Sequence, residues 1–219
     1  MATNPSETFE FKPISPHRID APGTVTEMPS PREMHHVHIF SDENFDAMVA
    51  FYKMIFNAEE VNTHRDKDGN ARLTFISYDD HDHRVVIIRQ DGWGTKPQRP
   101  VGLSHIAFAY ASLGELIYIY KTLKAAGHPA PHWTVNHGNS TSFYYRDPDG
   151  NEVETMLDNF SALDTQDYKR FYQFTEEFGE MSEGNFDPDK MVDLYESGVP
   201  DSVLLDREEV RRMVRKGEL

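Results

Sequence analysis

Three side chains suited to binding a metal ion lie in two similar stretches of the chain, and two of them stand at matching points. His36 and His105 lie in the short apolar runs MHHVHIF (34–40) and GLSHIAFAY (102–110), and Glu154 lies in a later apolar run. Two imidazoles and one carboxylate form the facial triad that suits non-haem Fe(II) and leaves three coordination positions open. The same ligands suit Mn(II), so ligand type does not fix the metal. Open positions allow one ion to bind a chelating substrate together with dioxygen.

Neighbouring residues leave alternatives open for two of these ligands. His35 and His38 flank His36, and any of the three could be a hydrogen-bonded structural histidine. Glu154 alternates with Val153 and therefore shares a strand face with Glu152. The triad requires that this face point inward, where a carboxylate needs a partner, rather than toward solvent.

The elements that must position these residues occur twice in the same order. Each stretch predicts a strand, a helix and three further strands. The offset from His36 to His105 is larger by one position than the offset from Tyr52 to Tyr120, a slip that a loop change would produce. Two such units, each with one bare sheet face, are expected to pair into a curved mixed sheet around a metal cavity, with the helices outside. The predicted strands are 34–40, 59–64, 72–78 and 83–89 in the first stretch and 102–110, 130–136, 141–146 and 152–157 in the second.

The two predicted helices cover 41–57 and 111–127. Apolar residues recur in both at helical spacing, which predicts one buried face for each helix. Ser41 or Asp42 is expected to cap the first helix, and Gly127 is expected to end the second.

The regions outside the repeat have a different composition. Residues 1–33 hold six of the 13 prolines and cannot form a helix or a central strand, so they predict an extended arm or a partly disordered tail. We therefore expect a proline-rich arm (1–33), an α+β domain of paired βαβββ modules (34–160, modules about 34–92 and 100–160) and a mostly helical extension (161–219). Helices are predicted in the extension at 167–178 and 206–216.

Composition excludes several classes of protein. The chain has 219 residues, 22 Lys and Arg against 37 Asp and Glu, and a net charge of −15, which disfavours binding to nucleic acid or to an anionic membrane. Without cysteine there are no disulfides, iron–sulfur clusters or thiol nucleophiles. No apolar run is long enough to span a membrane and no secretory signal is visible, so we expect a cytoplasmic protein.

A longer segment, residues 135–154, limits the classes of reaction that the protein could catalyse. Val135-Asn136-His137 is followed after five residues by Phe143-Tyr144, then after two by Asp147-Pro148-Asp149-Gly150, and after three more by Glu154. This pattern resembles the signature of the type I extradiol ring-cleaving dioxygenases, which belong to the vicinal-oxygen-chelate (glyoxalase/bleomycin resistance/dioxygenase) superfamily. The resemblance to the superfamily covers about residues 34–160. The segment GNFDPDK (184–190) is also similar to the tails of some catechol-dioxygenase-like relatives.

The resemblance implies a reaction and a ligand set. His36, His105 and Glu154 would bind Fe(II), and the enzyme would cleave a catechol-type aromatic ring with O2, as in aromatic hydrocarbon catabolism. The resemblance also favours a homodimer or a higher homo-oligomer. Many such enzymes carry two paired-module domains, whereas this chain has room for one, which leaves substrate size and oligomer geometry open.

The resemblance also assigns roles to further residues. Tyr144 would hydrogen-bond the substrate hydroxyl or the oxygen intermediate, although on composition alone it could be a core aromatic. His137 would contact the substrate or lie behind it. An acid–base histidine precedes a short apolar strand in the family, and His83 is the best match, with His81 as the alternative.

Other functions of the superfamily remain as alternatives. Isomerases, epimerases and glyoxalase-like enzymes of the superfamily are the first alternative. Glyoxalase-type sites use a fourth protein ligand, a Glu on the last strand of the first module, and the residue here at that position, which is equivalent to Glu154, is the apolar Val86. A small-molecule binding protein of the same fold is the second alternative. Candidates for lining the pocket, on composition alone, are Trp93, Trp133, Phe143, Tyr145 and His132.

Overall fold

The chain divides into two units, residues 1–35 and 36–219. The structure, a computed structural model, describes residues 28, 30–31, 33–94, 101–164, 167–168 and 184–219. The described residues of the first unit are exposed and form no regular element. Most of the predicted proline-rich arm and of the helix predicted at 167–178 lies outside the described residues. Within those same ranges, no helix is both long and apolar enough to cross a membrane.

Among the described residues, the second unit contains two βαβββ modules followed by helices of the C-terminal extension. The first module is β1 (Val37–Ser41), α1 (Phe45–Ile55), β2 (Glu59–Arg65), β3 (Ala71–Ser77) and β4 (Val85–Arg89). The second is β5 (His105–Ala109), α2 (Leu113–Ala125), β6 (Trp133–Asn136), β7 (Ser140–Arg146) and β8 (Glu152–Asp158). The extension contributes α3 (Pro188–Glu196), α4 (Asp201–Leu204) and α5 (Arg207–Arg215). The predicted order of elements within the two modules is confirmed.

The two modules have the same sheet topology. The strand orders are β1-β4-β3-β2 and β5-β8-β7-β6, with the first pair of each sheet parallel and the others antiparallel. Val37 lies opposite Val85 in one sheet, and Ile106 lies opposite Val153 in the other. The difference in residue number between equivalent positions of the two modules is therefore one larger for the first strand than for the last strand, as the sequence predicts. The predicted α+β repeat is confirmed. The change of one residue in the offset between the modules occurs between the first strand and the helix.

Both module helices bury one apolar face in a common core. Met48 and Tyr52 of α1 and Leu116 and Tyr120 of α2 are almost inaccessible to solvent, and they belong to one cluster with side chains from both sheets. Side chains alternate between the two faces of a strand, so each sheet is left with a second face directed away from this core. That second face carries the polar residues considered below.

The helix ends agree only partly with expectation. The prediction that Ser41 or Asp42 caps α1 is wrong, because the N-cap residue is Asn44 and its side chain makes no cap hydrogen bond. Residues 42–44 form a turn, and the Asp42 carboxylate instead accepts a hydrogen bond of 2.8 Å from the backbone N–H of Gly92. Gly127 directly follows the C-cap of α2 with a φ of 80°, a conformation that glycine adopts without strain.

A buried turn of the second module binds the first helix. The Tyr52 hydroxyl donates to Asp147 Oδ2 at 3.0 Å, and Asn44 Nδ2 donates to Asp149 Oδ1 at 2.8 Å. Asp147 also accepts hydrogen bonds of 2.8 Å from the backbone and side-chain nitrogens of Asn151, which close the turn. Burial raises the pKa of the Asp147 carboxyl above its usual range. This turn links α1 to the hairpin that leads into β8.

The extension packs on α2. The Tyr120 hydroxyl donates to Asp189 Oδ1 at 2.6 Å, Lys124 binds the same carboxylate, and Lys121 pairs with Glu196. Met191 of α3 is buried in the common core. The helical extension is therefore part of the folded domain.

The buried hydrogen bond of Tyr52 is expected to stabilise the domain more than its counterpart in the repeat. Tyr52→Phe should lower the free energy of unfolding by about 1–2 kcal/mol, because a buried carboxyl loses a donor. Tyr120→Phe should cost less, since its partner Asp189 is largely exposed and water can replace the hydroxyl. Urea denaturation of both variants measures the difference. Equal losses would show that the turn is not a special attachment point.

Candidate active site

A histidine and a buried carboxylate meet on the free face of the second sheet. β5 and β8 are parallel neighbours with Ala107 opposite Glu154, which sets His105 diagonally across from that carboxylate on the same face. His105 Nε2 lies 3.0 Å from Glu154 Oε2, and the side chains are 34% and 8% exposed. A buried carboxylate requires a partner, and the imidazole supplies one. Glu154 is therefore shielded from solvent, although its strand face is directed away from the common core.

Two more of the predicted residues surround this pair. Tyr144 lies directly opposite Glu154 on β7, and its hydroxyl is 3.2 Å from His137 Nε2 at the end of β6. The His105 ring stands edge-on to the Tyr144 ring with centroids 5.4 Å apart. Burial and the neighbouring Glu154 carboxylate raise the pKa of Tyr144 well above its usual range. Tyr144 thus stays a neutral hydroxyl that can donate a hydrogen bond at any physiological pH.

The environment of His137 disfavours its charged form. Burial lowers the pKa of its imidazole, and the charges of Arg207 and His105 act in the same direction, against the Glu154 carboxylate. A lowered pKa leaves the ring neutral at pH 7, with one nitrogen able to donate and the other able to accept. His137 and Tyr144 therefore form a neutral, polar pair beside a charged carboxylate.

The outer wall of the site contains contacts that sequence reasoning missed. Trp133 stacks on Tyr144 with ring centroids 4.6 Å apart, and its Nε1 donates to Asn185 Oδ1 at 2.8 Å. His132 Nε2 lies 2.7 Å from Glu152 Oε2, whose other oxygen is 3.8 Å from His105 Nδ1. Composition indicates Trp133 and His132 as candidates for lining the pocket, but it does not predict which residues they contact. The signal for the stacking was the hairpin register, which places Trp133 opposite Tyr144.

The remaining predicted residues lie together on the first sheet. The rings of His36 and His83 are 4.6 Å apart, and His83 Nδ1 lies 2.6 Å from Asp82 Oδ2. Among the residues with described positions, His36 does not form one group with His105 and Glu154 in which all ligand atoms lie within 4.8 Å of one another. The structure thus brings two of the predicted ligands together beside Tyr144 and places the third beside His83. The set of three stays a prediction.

Comparison with known proteins assigns the family. Residues 21–155 match the model of the Glyoxalase/Bleomycin resistance protein/Dioxygenase superfamily. The chain belongs to this superfamily. It is 35% identical to biphenyl-2,3-diol 1,2-dioxygenase 3 of Rhodococcus globerulus over 81% of its length and 89% of the relative's, and 33% identical to biphenyl-2,3-diol 1,2-dioxygenase 2 of that organism over 74% and 81%. A solved glyoxylase/bleomycin resistance protein/dioxygenase domain from Frankia sp. EAN1pec matches with a TM-score of 0.49 and 22% identity, covering 59% of this chain and 93% of that one.

In this superfamily member, the prediction that Phe143 and Tyr145 line the pocket is wrong. Phe143 and Tyr145 are buried in the common core, because they alternate along β7 with Tyr144 and so point to the opposite face. Trp93 is 63% exposed and packs against Phe40 on the first sheet, with centroids 4.8 Å apart. Composition alone proposes Phe143 and Tyr145 without regard to strand alternation, which explains the error for these two residues.

His81, the alternative acid–base residue, has a different environment. Its Nδ1 lies 2.8 Å from Arg84 Nη2 and 3.4 Å from Asp79 Oδ1, within the loop that precedes β4. The His83 ring, by contrast, lies against His36 and against Phe75, at 5.2 Å from the latter. His83 is the histidine of this loop that lies beside a predicted ligand.

The lowered pKa of His137 is directly measurable. In the metal-free protein we expect this ring to titrate below the ordinary histidine value of about 6.5. The folded state then binds fewer protons than the unfolded state, so this group contributes stability above a pH of about 6.5 that is lost as the pH falls toward the folded pKa. NMR titration of the ring, assigned with His137→Gln, tests the value. A midpoint above the ordinary histidine value would contradict it.

Proposed function

We propose that this protein is an Fe(II)-dependent extradiol dioxygenase that cleaves a catechol-type aromatic ring with O2. The observation that carries the proposal is the buried Glu154 carboxylate 3.0 Å from His105, beside the neutral pair of Tyr144 and His137. Its similarity to two proteins named biphenyl-2,3-diol 1,2-dioxygenase, over most of its length, supports the same reaction class.

The donor set fits an iron ion. Imidazole and carboxylate are the ligands of the facial triad for non-haem Fe(II), and Mn(II) accepts the same set. Glu154 is shielded from solvent, and its carboxylate is directed at the His105 imidazole rather than at a lysine or arginine. We assign His105, Glu154 and His36, which directly precedes β1, as the ligands. When bound, the metal would supply the redox chemistry that allows dioxygen to react with an aromatic diol.

Protein side chains supply the remaining tasks. The neutral Tyr144 hydroxyl, next to Glu154, donates a hydrogen bond to an anionic substrate oxygen, and neutral His137 fixes the orientation of that hydroxyl. His83 accepts a phenolic proton, because imidazole is the side chain best suited to exchanging a proton at neutral pH. Asp82 Oδ2 lies 2.6 Å from Nδ1 of His83 and so orients the ring.

The substrate and the assembly complete the proposal. The substrate is a small aromatic diol, whose adjacent oxygens suit two open positions of one ion. The functional form is a homodimer or a higher homo-oligomer. The paired-module domain performs the reaction, with the wall formed by Trp133 and the extension closing one side of the site.

Turnover after anaerobic loading with iron tests the reaction. We expect the protein reconstituted with Fe(II) to consume one O2 per molecule of 2,3-dihydroxybiphenyl or catechol and to form a ring-opened product with new visible or near-ultraviolet absorbance. Protein loaded with Zn(II), which has no redox chemistry, is the matched control. Tight Fe(II) binding without oxygen uptake on any diol of a broad panel would refute the dioxygenase and favour an isomerase or a binding protein.

Substitutions of Glu154 and of Glu152, which share a strand face, distinguish the loss of a metal ligand from the loss of a nearby negative charge. Glu154→Gln should weaken Fe(II) binding at least about tenfold, because the amide is a poor ligand for a metal ion. Glu152→Gln removes the same charge two residues away and should retain the metal. Calorimetric titration with Fe(II) under anaerobic conditions measures both. Wild-type affinity in Glu154→Gln would exclude the proposed ligand set.

A further inference from the structure

A short segment of the C-terminal extension lies along the outer edge of β6. Asn185 forms an isolated antiparallel bridge with Val135, and the backbone N–H of Phe186 donates to Thr134 O at 3.3 Å. The Thr134 hydroxyl donates in turn to the Phe186 carbonyl. A Cβ added at Gly184 would collide with the backbone oxygen of Asn136, so only glycine fits there. The segment 184–186 is thus closely fitted to this strand.

The side chain of Asn185 reaches from that edge to the wall of the site. Its Oδ1 accepts the Nε1–H of Trp133 at 2.8 Å. The indole has no other polar hydrogen, so this one bond determines how the ring is rotated within its plane. Both residues are half-buried, which limits replacement of the bond by water.

The indole in turn packs on the residue that faces the reacting oxygens. Trp133 lies on Tyr144 with ring planes 23° apart, close to parallel. On its other sides Tyr144 contacts His105 and His137, and its hydroxyl is the group next to Glu154. The position of that hydroxyl therefore depends on a stack whose outer ring is held by the extension.

We propose that Asn185 is a positioning residue, which fixes the Trp133 indole on Tyr144 and thereby sets where the Tyr144 hydroxyl lies in the active site. The C-terminal extension would then help to shape the site, although Asn185 lies far beyond Glu154 in the chain. The effect on turnover rests on the proposed function, whereas the effect on the indole does not.

The indole can be observed without any catalysis. The chain has two tryptophans, so Trp93→Phe leaves Trp133 as the sole emitter. In that background, Asn185→Leu should change the emission maximum and raise acrylamide quenching of Trp133 at least about twofold, because the half-buried ring loses its anchor. Asn185→Asp keeps an oxygen acceptor and should retain the parent spectrum. Thr134→Val breaks the other side-chain bond of the same segment and should also retain it.

Either of two spectroscopic results would overturn the proposal. One is parental emission and quenching in Asn185→Leu. The other is an equal change in Thr134→Val, which would show that docking of the segment, rather than the amide, holds the ring. Far-ultraviolet circular dichroism confirms folding of each variant. Should Asn185→Leu not fold, Asn185→Ser replaces it, because a shorter side chain also loses the acceptor at this distance.

Kinetics with the iron-loaded enzyme tests the link to Tyr144. Asn185→Leu should lower kcat at least about threefold at unchanged iron content, with a smaller change in KM. Trp133→Phe keeps an aromatic ring but has no N–H, so adding Asn185→Leu to it should have little further effect. Independent, multiplicative losses would overturn the proposal. Absence of turnover in the parent enzyme would refute the proposed function instead, while the fluorescence result would still decide the role of Asn185.

Discussion

The burial of one carboxylate governs the organisation of this site. Glu154 lies on a central strand with its side chain only 8% exposed, and a charge in that position needs partners close at hand. The parallel neighbour β5 provides His105, the antiparallel neighbour β7 provides the Tyr144 hydroxyl, and the next strand provides His137 behind it. Three strands thus converge on this carboxylate, and the neutral Tyr144 hydroxyl and His137 ring beside it leave its negative charge available for a cation.

The repeat supplies the framework for this site but not its chemistry. Both modules have the same strand order and register, yet the position that holds Glu154 in the second is occupied in the first by the buried Val86. The first sheet contributes imidazoles instead, with His36 beside His83. One module therefore carries the buried carboxylate and the other carries a pair of adjacent histidines, a division that an exact repeat would not allow.

Much of this arrangement follows from sequence periodicity, and the exceptions have physical causes. Alternation along β8 was enough to place Glu154 and Val153 on opposite faces, and the two offsets were enough to predict the repeat. The same alternation along β7 places Phe143 and Tyr145 on the face opposite Tyr144 and so excludes them from the pocket. The cap of α1 depended on an irregular turn, which has no period. The bond between Trp133 and Asn185 joins residues 52 positions apart and leaves no local pattern in the sequence.

The turn at Asp147 has a consequence for how the domain comes apart. In this turn the Asp147 carboxylate accepts a hydrogen bond from the Tyr52 hydroxyl of α1, and the turn leads directly into β8, the strand that carries Glu154. Separating the modules would expose this buried carboxyl and release the start of β8 together. Local opening of one half alone is therefore energetically unfavourable, and loss of native structure should occur as a single cooperative event in which the halves never persist as independent folding units.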